Sequence, residues 1–240
     1  MRSGRETDEA PRKRVDARTE RWRAHRLEVR EKFVDAAFRA LDTFGPDVSM
    51  GDIAKEAGAA KPKLYRHFED KTDLYNAIVD RVRDMLWERL IAGADLTNDS
   101  VRELVRRGAA EYALVVSEHP SVFRFMLHSH FAQQSDDSER ALQSARQSAK
   151  RAADLFAESV GAESIEVDSV ELVIYSIFGA VGSATDWWLG ANRLKPQPMP
   201  IERFVAYLAE TIAALTAANA RLNGIVIDID LPLHLAFSGE

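Results

Sequence analysis

Cysteine is absent from the 240 residues. That excludes a disulfide framework, a thiolate zinc site and a cysteine nucleophile, and makes the cytoplasm the expected location. Glycine and proline are sparse, at 12 and 8, too few for a low-complexity chain. Long apolar runs are missing too. The longest uncharged one, Leu172 to Thr185, has 14 residues, against about 20 needed to span a bilayer. Residues 1–10 carry Arg2, Arg5, Glu6, Asp8 and Glu9 with no apolar stretch behind them, so neither a signal peptide nor a membrane partner is expected. No Gly-x-Ser-x-Gly elbow, Walker loop or dinucleotide fingerprint occurs, which leaves an enzyme without residues to name. His128 and His130, two apart, face different sides of a helix and have no third ligand at suitable spacing. No metal or other cofactor is expected.

What the chain does contain is 46% apolar and 29% charged residues, ordinary globular usage for one or two domains. The formal charge of −6 looks unfavourable for nucleic acid, but it hides a polarity. Residues 1–71 hold 17 Lys and Arg against 14 Asp and Glu, a net of +3; the other 169 hold 15 against 24, a net of −9. Within residues 12–30 the balance is +5, from Arg12, Lys13, Arg14, Arg18, Arg21, Arg23, Arg26 and Arg30 against Asp16, Glu20 and Glu28. Charge asymmetry of this kind fits a nucleic-acid arm, and equally a solvated tail.

The pattern is helical almost throughout, so the expected fold class is all-α. Residues 1–22 read as a flexible basic arm. A stripe of Leu27, Arg30, Val34, Phe33, Ala37, Leu41 and Phe44 predicts a helix from Arg23 to Gly45-Pro46. Ser49 with Asp52 is a start signal for a short helix ended by Gly58, and a second short helix is expected over Lys61 to Phe68 with Pro62 in its first turn. Two short helices joined through a Gly-containing turn form a helix-turn-helix pattern. Further helices are expected over Asp70–Leu90, from a capping box at Ser100 to His119, and over Ser121–Phe131, Ser138–Val160, Asp168–Leu189 and Ile201–Leu222. The tail from Ile225 to Phe237 is expected as a strand or an extended surface segment.

Ser49-Met50, Asp52-Ile53-Ala54, Ala57-Gly58, Lys61, Leu64-Tyr65, His67-Phe68, Lys71 and Leu74 together resemble the DNA-binding signature of the TetR family of bacterial transcriptional regulators, at every spacing. The resemblance implies a helix-turn-helix domain over residues 23–71 and a helical effector-binding and dimerisation domain over residues 72–240. It further implies that Lys61, Tyr65, His67 and Lys71 touch phosphates, that Pro62 and Lys63 lie against bases, and that Ser49, Met50 and Gly51 open the helix crossing the backbone. Two positions depart from the family pattern. Ala60 stands where a Ser or Thr cap is usual and Pro62 where a Gly is usual, so operator preference is not transferable from relatives. The arm then reads as a DNA contact through Arg12, Lys13, Arg14, Arg18, Arg21 and Arg23, along the backbone or in the minor groove.

For the C-terminal half the family implies a homodimer and a ligand. Small residues from Gly179 to Ala184, and the stripe Phe204, Leu208, Ile212 and Leu215, suit a four-helix dimer interface with Val181, Ala184, Trp188, Phe204, Leu208 and Ile212 in it. Tyr112, Phe123, Met126, Leu127, Phe131, Phe156, Tyr175, Phe178 and Trp187 are pocket material, with few polar groups among them. The expected partners are therefore a double-stranded DNA operator, a second copy of the chain and a small hydrophobic effector; the expected outcome is repression relieved by that effector. The competing reading is a TetR-shaped lipid-binding protein without specific DNA binding. The presence of Lys61, Lys63, Tyr65 and Lys71 disfavours it.

Overall fold

The computed structural model describes residues 12–132, 147, 150–151, 167–222 and 224–239. Its helices are α1 (Arg12–Phe44), α2 (Met50–Glu56), α3 (Lys61–Leu64), α4 (Lys71–Ala92), α5 (Val101–Glu118), α6 (Pro120–Ala132), α7 (Val167–Leu189) and α8 (Ile201–Leu222). A small hairpin pairs β1 (Ile225–Ile227) antiparallel with β2 (Phe237–Gly239). The fold is all-α with a helix-turn-helix head, as expected. The expected helix Ser138–Val160 lies outside the described residues, apart from 147, 150 and 151, which are helical.

α1 begins at Arg12, eleven residues before its expected start. No Gly or Pro interrupts the sequence from 12 to 44, and Arg12/Asp16 and Glu20/Arg23 have the spacing that supports a helix. The apolar stripe gave a late start because it reports burial. Residues 19–28 are all exposed, and burial begins at Val29. Leu27 and Phe44, assigned to that stripe, face solvent. α1 ends at Gly45, whose positive φ (83°) lets its N–H reach back to the Leu41 carbonyl at 2.8 Å.

Local signals were read well where partners are close in sequence. Ser49 and Asp52 form a reciprocal capping box, and Gly58 (φ 63°) closes α2, with Ala59 N–H bonding the Ala54 carbonyl at 2.9 Å. Asp70 caps α4 through Asp73 N–H. Ser100 caps α5, but only half of the expected box exists. The Glu103 carboxylate is held instead by Arg106 and Arg107, which lower it to about 2. The other free amides at that end meet the C-terminal segment: Val101 N–H bonds the Leu231 carbonyl and Arg102 N–H the Ile229 carbonyl, at 3.1 and 2.9 Å. Arg102 adds an ion pair to Asp230 at 2.7 Å. The tail thus straps α8 to the start of α5.

Two apolar clusters hold the described part together. One runs unbroken from the head (Val34, Leu41, Ile53, Leu64, Phe68) through Leu74 and Ile78 of α4 to Val115, Val122 and Phe125 of α5 and α6. The other joins Ala109 and Ala113 of α5 to Phe204 and Leu208 of α8, with Val181, Ala184 and Trp188 of α7 packed against it. This corrects the expected dimer stripe. Phe204 and Leu208 are each 1% exposed inside a single chain, and Trp188 stacks on Phe204 with centroids 4.3 Å apart. A stripe at helical spacing says that a face is buried without saying against what. Ile212 is half-buried. The face of α7 that remains open carries Leu172, Ser176, Gly179 and Ser183, and on α8 Ala206, Tyr207 and Glu210 are exposed.

α7 is apolar nearly all round, as expected. Among the described residues the stretch Leu172–Leu194 has the length and composition of a membrane span, and 11% of it is buried within the chain. Asp186 sits within it, exposed, four residues after the half-buried Gly182 and four before Gly190.

Truncating Phe204 to Ala should therefore cost about 3 to 5 kcal/mol of folding stability. Thermal denaturation will check this. A variant that merely dissociates at unchanged Tm would return Phe204 to the subunit interface.

Candidate nucleic-acid interface

The exposed basic side of the head is built on α3. This helix is a single regular turn rather than the eight residues expected; turns over Tyr65–His67 continue it, with Arg66 N–H bonding the Lys63 carbonyl and Phe68 N–H the Leu64 carbonyl. Ala60 makes no side-chain cap, and Pro62 lies in the first turn where a missing N–H costs nothing. Leu64 and Phe68 are fully buried, meeting Ile53 and Ala54 as expected. With these two anchored inward, Lys61, Pro62, Lys63, Tyr65 and Arg66 are all exposed on the outer side. Lys61 Nζ stands 5.8 Å from the Tyr65 ring.

The expected contact residues divide on this geometry. Lys61, Pro62, Lys63, Tyr65 and Lys71 are available to a partner. Met50 is not: it is 6% exposed and belongs to the head core, so its side chain cannot meet a phosphate. Ser49 spends its hydroxyl on Asp52 at 2.6 Å, which makes its role capping. Gly51 is half-buried beside it. Lys71 Nζ lies 5.7 Å from the Phe125 ring of α6. Arg12, Lys13, Arg14 and Arg18 lie on the first turns of α1, and Arg21 and Arg23 are exposed further along it, so the arm is helical from Arg12 on. Two basic residues lie outside the expected contact set. Arg66 is exposed in the turn after α3, and Arg26 of α1 is close enough to act electrostatically on His67. Arg66 had a signal, since it continues the Lys61–Lys63 basic run.

His67 is the most constrained member. Its ring packs 5.7 Å from Phe33, its Nδ1 is buried with no hydrogen-bond partner among the described residues, and its carbonyl accepts from Arg30. Burial holds its pKa below the ordinary 6.5, and Arg26, Lys63, Arg30 and His25 add repulsion against a further proton.

Among the described residues, those expected to line a pocket lie on α5 (Tyr112), α6 (Phe123, Met126, Leu127) and α7 (Tyr175, Phe178, Trp187). Phe123 is buried edge-to-face against Tyr112, 5.8 Å apart. Tyr112 donates to or accepts from Thr185 at 2.8 Å, and burial of its hydroxyl end pushes the phenol up to about 12. Met126, Leu127 and Tyr175 are half-buried, Phe178 is 45% exposed, and Trp187 lies under the Lys195 ammonium at 4.4 Å. The side chains of Phe131 and Phe156 lie outside the described residues. A cleft of about 680 Å³ opens between α1 and α4, lined by Asp35, Phe38, Arg81, Met85 and His119 among others. None of the expected pocket residues lines it.

Residues 33–78 match the model of bacterial regulatory proteins of the tetR family, and residues 95–226 match the tetracyclin repressor-like C-terminal domain. The chain belongs to the TetR family. It is 31% identical over 185 residues to an uncharacterised HTH-type transcriptional regulator of Mycobacterium tuberculosis, covering 75% of this chain and 76% of that one. It is 35% identical over 91 residues to the HTH-type transcriptional activator FasR of Mycolicibacterium smegmatis, 38% of this chain and 37% of that one. A TetR-family regulator from Streptomyces coelicolor superposes with a TM-score of 0.57 at 25% identity, covering 82% and 83% of the two chains. A TetR variant of Acinetobacter baumannii in complex with minocycline shares the fold, with a TM-score of 0.51 at 16% identity over 79% and 95%. Both DNA-binding and C-terminal parts of this TetR regulator are thus accounted for as far as residue 226, and the strap beyond it lies outside the family match. Among the described residues no group of three His, Asp or Glu is placed to hold a metal ion.

Two measurements follow for the TetR head. The folded chain binds fewer protons at His67 than the unfolded chain just below pH 6.5, so stability is full above that pH and falls as pH drops through it. Thermal scans between about pH 7.5 and 5.5 should show this fall, smaller in His67→Gln. Ala60→Ser should supply the missing cap and add about 1 kcal/mol; an unchanged Tm would mean that the amides of α3 gain nothing from it.

Proposed function

We propose that the protein is a homodimeric repressor, each subunit placing α3 in one major groove of a palindromic operator, with half-sites about one helical turn apart. The single observation carrying this is the outward set Lys61, Pro62, Lys63, Tyr65 and Arg66 over a buried Leu64–Phe68 base, inside a tetR-family match. Lys63 and Pro62 face bases; Lys61, Tyr65, Arg66 and Lys71 hold phosphates. The N-terminal turns of α1 add backbone contacts through Arg12, Lys13, Arg14, Arg18, Arg21 and Arg23. A helix of diameter about 10 Å or more cannot thread the minor groove, about 6 Å wide, so the helical part tracks phosphates.

Dimerisation uses the open face of α7, where Leu172 is 66% exposed and Ser176, Gly179 and Ser183 allow close approach, beside Ala206 and Tyr207 of α8. This face replaces the stripe that the body core has taken. A hydrophobic effector bound among α5, α6 and α7 shifts α4, whose Tyr75 hydroxyl bonds the Met126 carbonyl of α6 at 3.2 Å. The shift changes the spacing of the two heads and releases DNA, typically about 5- to 150-fold in affinity.

Selection of bound fragments from genomic DNA tests the reading, and an enriched palindrome is the expected result. No enrichment above background would favour the lipid-binding alternative. On the selected fragment, Lys61→Ala and Lys63→Ala differ in kind. The phosphate contact should reduce the log–log salt slope by about 0.9, whereas the base contact should relax sequence preference. Deleting residues 1–22 should flatten the slope further, and an unchanged slope would remove the arm from the interface.

A further inference from the structure

Arg30 belongs to α1, yet its guanidinium meets three other parts of the head. Nη1 donates to the His67 carbonyl, at the end of the turn after α3, and to Asp73 Oδ2 at 3.1 Å; Nη2 donates to Asp73 Oδ1 at 2.9 Å. The guanidinium carbon also lies 4.1 Å over the Phe68 ring. Asp73 is itself shared, since Oδ2 accepts from Glu69 N–H at 3.1 Å, while Asp73 N–H bonds the capping Asp70 at 2.8 Å. One planar fork therefore closes a ring through α1, the recognition turn and the first turn of α4. Neither ion-pair partner is more than a quarter exposed.

A one-turn helix needs such a device. α3 has four residues and no side-chain cap, so its own hydrogen bonds do not fix its direction. Leu64 and Phe68 fix its depth. The remaining freedom, rotation of the turn about that apolar base, is what Arg30 removes. Lysine cannot replace it, because a single ammonium does not reach a carbonyl and both carboxylate oxygens in one plane.

We propose that Arg30 is the positioning residue that sets the recognition turn for DNA without touching DNA, acting through Asp73. This rests on the reading that α3 enters the groove. A second tie between α1 and α4, Arg81 with Glu31 and Asp35, touches nothing in the turn and supplies the control.

The test uses the full chain with Arg30→Gln, Arg30→Lys, Asp73→Asn, the Arg30→Gln/Asp73→Asn double variant and Arg81→Gln. Affinity for the selected genomic fragment, its salt slope, and hydrogen exchange of amides 65–69 in the free protein are measured. Both Arg30 variants and Asp73→Asn should lose about tenfold in affinity at unchanged slope, with faster exchange at 65–69. The double variant should be no worse than either single one. Arg81→Gln should keep both affinity and protection. A slope shallower by about 0.9 in Arg30→Gln would make it a phosphate contact and overturn the proposal, as would unchanged exchange in Arg30→Gln and Asp73→Asn. Should Arg30→Gln not fold, the near-isosteric Asp73→Asn carries the same comparison. Exchange needs no DNA, so a wild-type protein that binds no fragment refutes the groove reading while the role of Arg30 is still decided.

Discussion

Phe68 is where the molecule closes. Its ring is fully buried, set edge-to-face on Phe33 at 6.3 Å, with the Arg30 guanidinium across its face. Aromatic and cation–π contacts of this kind add to a burial term already worth a few kcal/mol. Because the residue directly follows the turn after α3 and lies three positions before α4, the same ring ends the exposed basic surface and begins the body. A four-residue helix has no stability of its own; it exists here because its flank is welded into a core that continues to Phe125.

That continuity bears on regulation. Apolar packing is bistable rather than elastic, so a body that repacks around α6 does not bend away from the head; it carries Leu74 and Ile78 with it. The polar links follow the same seam. Tyr75 reaches α6, and Asp73, two residues earlier, reaches α1.

How much was legible in the sequence depended on the range of each interaction. Ser49 with Asp52 and Gly58 after α2 are signals completed within five residues, and both are legible from spacing alone. The tetR-type motif was equally local. Readings failed where the partner was distant. Met50 has the position of a contact residue but fills the core. Phe204 and Leu208 show periodicity that is genuine, yet it faces Ala109 and Ala113 nearly a hundred residues away. Arg30 and Asp73, 43 residues apart, carry no mark of their pairing. The start of α1 was missed for a different reason: a solvated helix has no apolar period to betray it.

The early start of α1 changes the thermodynamics of the basic segment. A disordered arm settling on DNA loses about 1 to 2 kcal/mol of backbone entropy per residue fixed, which offsets much of what each phosphate contact contributes. Here the costly nucleation step is met once, by the buried half around Phe33 and Leu41, and the solvated half only propagates it. From Arg12 onward the ordering cost belongs to folding instead of to binding. On the proposed reading, modest phosphate contacts from this preformed rod then suffice for affinity.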